Sequence, residues 1–252
     1  MRKPYIGITG FMASGEVAEV LGSMPKDCER LLMVGVLASQ KTLRGEQNKW
    51  PNRYPAMDQI AGIFQPHPLA LNLLHYHTRD KETLYEDLMR LTDIAGEHLH
   101  GFQLNIMWPS TILLHKYKLA HPEMKLVLQL NSEILDEALI THPEVVAEKI
   151  LYWYSKLVDY VLLDPSGGTG TPLDSMLTFI YAEAVAADNP DLGLVVAGGL
   201  GHESLNLVSW IASKFPNVSI DAEGRLRDKD DMLDLALAKN YLAKALELFG
   251  AK

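Results

Sequence analysis

The sequence predicts an α/β protein of the (β/α)8 barrel class. Short β-rich runs alternate with amphipathic helical segments, and no low-complexity linker divides the 252 residues. An open doubly wound sheet of this length usually has fewer strands, whereas (β/α)8 barrels commonly reach this size as one unit. We therefore expect residues 1–252 to form a single TIM barrel domain.

Eight aliphatic or β-branched runs are the predicted strands. They are Tyr5–Thr9, Leu31–Leu37, Leu69–His75, Gly101–Ile106, Lys125–Leu130, Tyr160–Asp164, Gly193–Ala197 and Val218–Asp221. Six segments show helical periodicity, namely Lys81–Glu97, Ser110–Leu119, Pro143–Leu157, Ser175–Ala187, Glu203–Ser213 and Met232–Phe249. Helices after the first two strands are less clearly marked, and the long segment Ala38–Gly62 is a candidate lid over the active site.

The composition excludes some classes of binding partner. A net charge of −9 and a pI near 5.5 argue against a nucleic-acid surface, and no window approaches the roughly 18 apolar residues of a membrane span. The N-terminal apolar run is too short for a signal peptide. We expect a cytoplasmic protein with a small-molecule substrate and no nucleic-acid or membrane partner, and a homo-oligomer is compatible with the sequence.

No cofactor is expected. Cys28 is the only cysteine, so neither an intramolecular disulfide nor an all-cysteine zinc site can form. The glycine-rich runs lack the lysine of a Walker loop and the spacing of a dinucleotide fingerprint.

The strongest candidate for catalysis is Asp164, which ends an apolar run and opens into Gly167-Gly168-Thr169-Gly170. Asp164 shares a strand face with Leu162 and should lie at the rim of the barrel. It is a candidate general acid or substrate ligand, and the alternative is a turn-forming Asp that caps the glycine loop.

His75 and His77 share one face at the end of the third predicted strand. Such a pair can serve as a base, or it can ligate a metal if Asp164, Asp221 or Glu223 supplies a third ligand. Otherwise both are polar rim residues.

Amide side chains mark the next two predicted strands. Gln103 and Asn105 share a face, as do Gln129 and Asn131. We expect the outer pair, Asn105 and Asn131, to contact substrate, while the deeper pair could satisfy each other.

Two motifs resemble phosphoribosylanthranilate isomerase, a (β/α)8 barrel family. Leu162-Leu163-Asp164 with the glycine loop is similar to its sixth-strand signature, and Val196-Ala197-Gly198-Gly199-Leu200 to its seventh. Weaker similarities are Gly7-Ile8-Thr9, Phe102-Gln103-Leu104-Asn105, and Gly35-Val36 followed by Arg44. That family converts an aminoaldose to an aminoketose by an Amadori rearrangement, so the resemblance implies an isomerase-like enzyme.

The resemblance also implies roles for individual residues. Asp164 matches the catalytic acid, and Arg44 matches an arginine that receives a carboxylate, with Arg53 as the alternative; either could be a solvated loop charge. The position of the family's cysteine base is Ile6, which cannot accept a proton. We therefore expect altered chemistry, with His75, His77 or Glu223 as a replacement base.

The family's phosphate site is also changed. Ile220-Asp221-Ala222-Glu223-Gly224 replaces a serine-rich turn, and its carboxylates would repel phosphate unless Arg225, Arg227 or a metal intervenes. Backbone N–H groups of Gly198, Gly199 and Gly224 could still hold an anion, and Asp221 is a candidate substrate ligand.

Three functions follow. The first is an isomerase or lyase acting on a sugar-like or carboxylated metabolite. The alternatives are a metal-dependent hydrolase or lyase that uses the His75 and His77 pair, and a non-catalytic barrel that binds a small molecule.

Overall fold

Eight parallel strands form a closed barrel in which each strand pairs with the next and β8 pairs with β1. A computed structural model describes residues 2–131, 142–165 and 173–250, so the predicted glycine loop Gly167–Gly170 lies outside the described residues. The strands are β1 Tyr5–Thr9, β2 Leu31–Ser39, β3 Ala70–His77, β4 Gly101–Asn105, β5 Lys125–Asn131, β6 Tyr160–Asp164, β7 Gly193–Ala197 and β8 Ser219–Ala222. This confirms the predicted (β/α)8 fold, and β1, β6 and β7 have the predicted bounds.

The helices pack outside the barrel. They are α1 Ser14–Leu21, α2 Gln40–Leu43, α3 Ile60–Ile63, α4 Leu84–Ala95, α5 Thr111–Ala120, α6 Pro143–Trp153, α7 Ser175–Asp188, α8 Ser209–Lys214 and α9 Leu235–Leu248. Side chains that accept backbone N–H bonds begin several of them, including Asp174 before α7 and Asp234 before α9. No helix in the described ranges is long and apolar enough to cross a membrane.

One predicted helix, Glu203–Ser213, is only partly correct. A 3-10 helix occupies Leu205–Val208, and α8 begins at Ser209. The Ser204 hydroxyl bonds the backbone of Gly199 and Gly201, which ties this segment to the turn after β7. Helical periodicity could not reveal this irregular start, because 3-10 and α turns place apolar residues at similar spacing.

Alternation along the strands separates two cores. Tyr5, Met33, Leu73, Leu162 and Val195 belong to the smaller apolar cluster, which fills the barrel interior. The larger cluster lies between the strands and the helices. Further along the inward faces, towards the carboxyl ends of the strands, the residues become polar, and this change opens the interior into a site.

Candidate active site

Two contiguous cavities lie at the carboxyl ends of the strands. The inner well, of ≈ 40 Å³, is lined by His75, Gln103, Gln129, Asp164, Ala197, Gly198, Gly199, Leu200, Asp221, Ala222, Glu223 and Gly224. The outer cavity, of ≈ 670 Å³, is lined by Leu37, Trp50, Arg53, Tyr54, His75, His77, Thr78, Arg79, Lys81, Asn105, Ile106, Met107, Asn131 and Glu223. His75 and Glu223 line both, so the inner well continues into the outer cavity.

A chain of hydrogen bonds connects two carboxylates across the inner well. Gln129 Nε2 donates to Asp164 Oδ2 at 3.0 Å, and Gln103 Nε2 donates to Asp221 Oδ2 at 3.2 Å. Gln103 Nε2 also lies 3.4 Å from Gln129 Oε1, which closes the chain. All four residues are at most 5% exposed, so these polar groups depend on one another rather than on solvent.

Burial controls the ionisation of Asp221. Loss of solvent contact, reinforced by the negative charges of Glu223 and Asp164, raises its pKa from 3.8 to about 7, against the opposing effect of hydrogen bonds from Gln103 and Thr9. The Thr9 hydroxyl donates to Asp221 Oδ1 at 3.1 Å. A carboxyl group with such a pKa exchanges its proton near neutral pH, which suits acid–base chemistry.

The two histidines of β3 have different environments. Burial lowers the pKa of His75, so its imidazole is neutral at pH 7, and its Nδ1 has no partner among the described residues. His77 is exposed in the outer cavity, where its Nδ1 lies 3.1 Å from the carbonyl oxygen of Asn105. Of these two histidines, only His75 therefore lies in the same cavity as the two aspartates.

Glu223 is held by two arginines. Its Oε1 accepts from Arg53 Nη1 at 3.0 Å and from Arg227 Nη2 at 3.4 Å. Arg53 Nε also donates to Asp231 Oδ2 at 2.7 Å, and Arg227 Nη1 to the Asp231 carbonyl at 2.9 Å. This arginine–acid cluster connects the candidate lid to the loop after β8.

The remaining predicted residues divide between the cavities and the surface. Asn131 Nδ2 lies 3.5 Å from Asn105 Oδ1 in the outer cavity. Arg44 lines neither cavity; it pairs with Asp80 at 3.6 Å and its side chain is half exposed. Gly198 and Gly199 adopt φ of 111° and 58°, and their turn lines the inner well with Gly224.

Ile6 does not face the site. It is fully buried in the outer core, whereas its neighbours Tyr5 and Gly7 face the barrel interior. A cysteine at this position would lie outside both cavities, so neither the residue type nor the side-chain direction of Ile6 provides the base that the sequence resemblance implies.

Sequence reasoning missed several residues of the site. Thr9 bonds Asp221, and Arg79 and Lys81 line the outer cavity just beyond the end of β3. Their position after a strand end was the available signal. Among residues 2–131, 142–165 and 173–250, no group of three or more His, Cys, Asp or Glu side chains is arranged to hold a metal ion.

Comparison with known proteins gives a fold but no close relative in sequence. Neither protein-family models nor curated proteins yield a significant sequence match. Phosphoribosyl anthranilate isomerase from Thermus thermophilus matches with a TM-score of 0.68 and 14% identity, covering 97% of this chain and 99% of that chain. A phosphoribosyl anthranilate isomerase in complex with reduced 1-(o-carboxyphenylamino)-1-deoxyribulose 5-phosphate matches with a TM-score of 0.64 and 15% identity, with the same coverage.

The same barrel also matches an enzyme of different chemistry. Active domain 2 of a thermostable chitinase from Pyrococcus furiosus gives a TM-score of 0.58 and 13% identity, covering 100% of this chain and 98% of that chain. The chain therefore has a phosphoribosylanthranilate isomerase-like (β/α)8 barrel, and at these identities the likeness concerns the fold. Function has to be argued from the site.

Proposed function

We propose that this protein is an isomerase or lyase that moves protons on a sugar-like or carboxylated small metabolite. The observation that carries the proposal is that Asp164 and His75 line the same inner well together with Gln129, whose Nε2 donates to Asp164 Oδ2 at 3.0 Å. A candidate acid, held by a buried amide, and a candidate base thus lie beside the same small space.

His75 is the best candidate for the base. Its imidazole is neutral because burial lowers its pKa, and Nδ1 has no partner within the described part of the chain. Glu223 is less suited, since Arg53 and Arg227 occupy its carboxylate. His77 lies in the outer cavity, where it is better placed to bind substrate than to take a proton in the inner well.

In the proposed reaction, Asp164 donates a proton to a carbonyl oxygen while His75 removes a proton from the adjacent carbon, which carries a hydroxyl group. The electron pair of that C–H bond forms the C=C bond of an enediol. Protonated His75 then returns its proton to the former carbonyl carbon, while the carboxylate of Asp164 takes the proton of the second hydroxyl, whose oxygen becomes the new carbonyl. Asp221 accepts from a hydroxyl or amine group of the substrate, and the paired amides Asn105 and Asn131 hold polar groups further out. The structural likeness to isomerases supports this reaction class.

Deuterium incorporation tests the proposal on a panel of candidate substrates. Aldoses, ketoses, aminosugars and sugar acids, with and without phosphate, are incubated with the protein in D2O and analysed by mass spectrometry. We expect enzyme-dependent exchange at a carbon next to a carbonyl. Asp164→Asn and His75→Gln should each lower its rate by ~10²–10⁴-fold.

Two exposed residues provide matched controls. Asp93 on α4 and His115 on α5 line neither cavity, so Asp93→Asn and His115→Gln should keep full exchange. An exchange rate that is equal in the wild type and both active-site variants would contradict the proposal, as would the absence of exchange on the whole panel.

A further inference from the structure

The inner well has a buried hydrogen-bond acceptor, Gln103 Oε1, with no partner in the part of the chain that the structure describes. Gln129 Nε2 donates to Asp164, which leaves Gln129 Oε1 to accept from Gln103 Nε2, and the same Nε2 donates to Asp221. This orientation leaves Gln103 Oε1 as an acceptor, and it has no partner among the described residues, although Gln103 is only 1% exposed. Burying a hydrogen-bond acceptor without a partner costs free energy, so a ligand that donates an N–H or O–H group to Gln103 Oε1 would bind favourably in the well.

The charges around the inner well favour a positively charged donor. Its described lining includes Asp164 and Asp221 but no lysine or arginine. Glu223 also lines the well, but its carboxylate is paired with Arg53 and Arg227, neither of which lines it. Among described residues, the hydrogen bonds to the Asp221 carboxylate come from the neutral side chains of Thr9 and Gln103.

The outer cavity has the opposite charge. Arg79 and Lys81 line it, and neither makes an ion pair with any residue in the described ranges. Arg53 adds a third cation, which Glu223 and Asp231 neutralise. A molecule that extends from the inner well into the outer cavity therefore passes from carboxylates to these two cations.

We infer that the substrate is a bipolar molecule, with a protonated amine in the inner well and an anionic group in the outer cavity. The amine would donate to Gln103 Oε1 and Asp221, and the anion would pair with Arg79 and Lys81. This inference names the substrate class of the proposed enzyme and rests on its site, but not on its reaction. A phosphate in the inner well would meet acceptors where it needs donors.

Thermal shifts with small probes test the inference without turnover. The probes are ω-amino acids from 3-aminopropanoate to 6-aminohexanoate, with butylamine, butanoate and inorganic phosphate for comparison. At about 50 mM, one of the ω-amino acids should raise Tm by roughly 3–6 °C in a saturable way, as expected for ~10-fold excess over Kd. Butylamine and butanoate should give smaller shifts, and phosphate none.

Two variants test the binding of the amine end and of the anionic end separately. Asp221→Asn should weaken amine binding at least about tenfold, and Arg79→Gln should weaken binding of the ω-amino acid but not of butylamine. Asp93→Asn and Arg90→Gln, on the exposed face of α4, should change nothing.

A pH series provides a second measurement that needs no variant. Amine affinity should increase as pH rises through about 7, where Asp221 ionises while the amine keeps its charge. The other titratable groups around Asp221 that affect this transition are Asp164, Glu223, Tyr5 and Tyr241.

The inference is overturned if phosphate or butanoate binds more tightly than the amines, if MgCl2 alone reproduces the shift, or if no probe binds. Because these are binding measurements, such a failure would leave the proton-transfer proposal standing. If the amines bind but the protein catalyses no deuterium exchange, the proton-transfer proposal fails and the inferred substrate class stands.

Discussion

Asp221 lies directly against the backbone of Gly7. The two residues are paired between β8 and β1, and a Cβ built on Gly7 would lie 2.7 Å from Asp221 Oδ1. The same Cβ would lie 2.8 Å from Met33 Cε. Glycine at this position therefore gives the carboxylate room to reach Thr9 and Gln103.

Gly7→Ala should destabilise the protein by about 1–3 kcal/mol, because the added methyl group overpacks a barrel interior that is already filled. Urea unfolding measures the loss. The control is Gly15→Ala on α1, where a new Cβ meets nothing within 4 Å and alanine favours the helix. Equal stability of the two variants would show that the close approach of Asp221 to Gly7 has no energetic consequence.

The raised pKa of Asp221 should make stability depend on pH in an unusual direction. An acid whose pKa is about 7 when folded and 3.8 when unfolded binds more protons in the folded state between these values. Its contribution to the free energy of unfolding is therefore largest at low pH and falls by at most about 4 kcal/mol between pH 4 and pH 7.

Replacing the carboxyl group should remove this dependence. The stability of Asp221→Asn relative to the wild type should increase from pH 4 to pH 7 and stay constant above it. Chemical denaturation of both proteins across this range measures the difference. A constant difference from pH 4 to pH 8 would mean that Asp221 titrates at its ordinary pKa.

Arg53 connects the segment 38–62 to the loop after β8. Arg53→Gln removes the bonds to Glu223 and Asp231, and because these side chains are only partly exposed we expect a loss of about 1–2 kcal/mol. Amide hydrogen exchange around the 3-10 helix Pro51–Arg53 should become faster. Arg44→Gln is the control, since its pair with Asp80 is longer and half exposed; equal effects of the two variants would contradict the assigned role of Arg53.

The hydrophobic pattern predicted the fold correctly, because a parallel strand buried on both faces appears in the sequence as an apolar run of definite length. This is why β6 has the predicted bounds and Asp164 lies at the predicted rim. The segment after β2 was harder, since it contains only short turns of helix and 3-10 structure, such as Met57–Gln59 and Ile60–Ile63. Short helices leave no clear periodic signal.

The sequence predicted which strand carries each side chain of the candidate site and which face of the strand it is on, but not how deep in the barrel the side chain lies. The deeper amides, Gln103 and Gln129, were expected to satisfy each other, and Gln103 Nε2 does lie 3.4 Å from Gln129 Oε1. That each also donates to a carboxylate was not predicted. Depth in a barrel depends on the stagger between strands, which pairs His75 with Gln103 and Asn131 with Asp164. A single sequence does not contain that stagger.

Glu223 determines how the inner well responds to phosphate. In the wild type its carboxylate occupies Arg53 and Arg227 and adds negative charge to the lining that Gly198 and Gly199 share. Phosphate binding should therefore be weak. In Glu223→Gln the charge is lost while the side-chain volume is kept. Arg53 Nη1 and Arg227 Nη2 then lose their anionic partner and can donate to an anion near the glycine turns, although Arg53 keeps its bond to Asp231.

Saturable thermal stabilisation by inorganic phosphate should then appear in Glu223→Gln and be absent, or much weaker, in the wild type. Asp231→Asn is the matched control: it also removes a partner of Arg53, but Asp231 lines neither cavity, so it should not create phosphate binding. If the wild type binds phosphate as tightly as the variant, the carboxylate of Glu223 does not oppose anions, and the glycine turns form a phosphate site as they stand. If phosphate stabilises neither protein, the glycine turns do not bind phosphate even without the Glu223 carboxylate. The end of the substrate that enters the inner well then carries no phosphate.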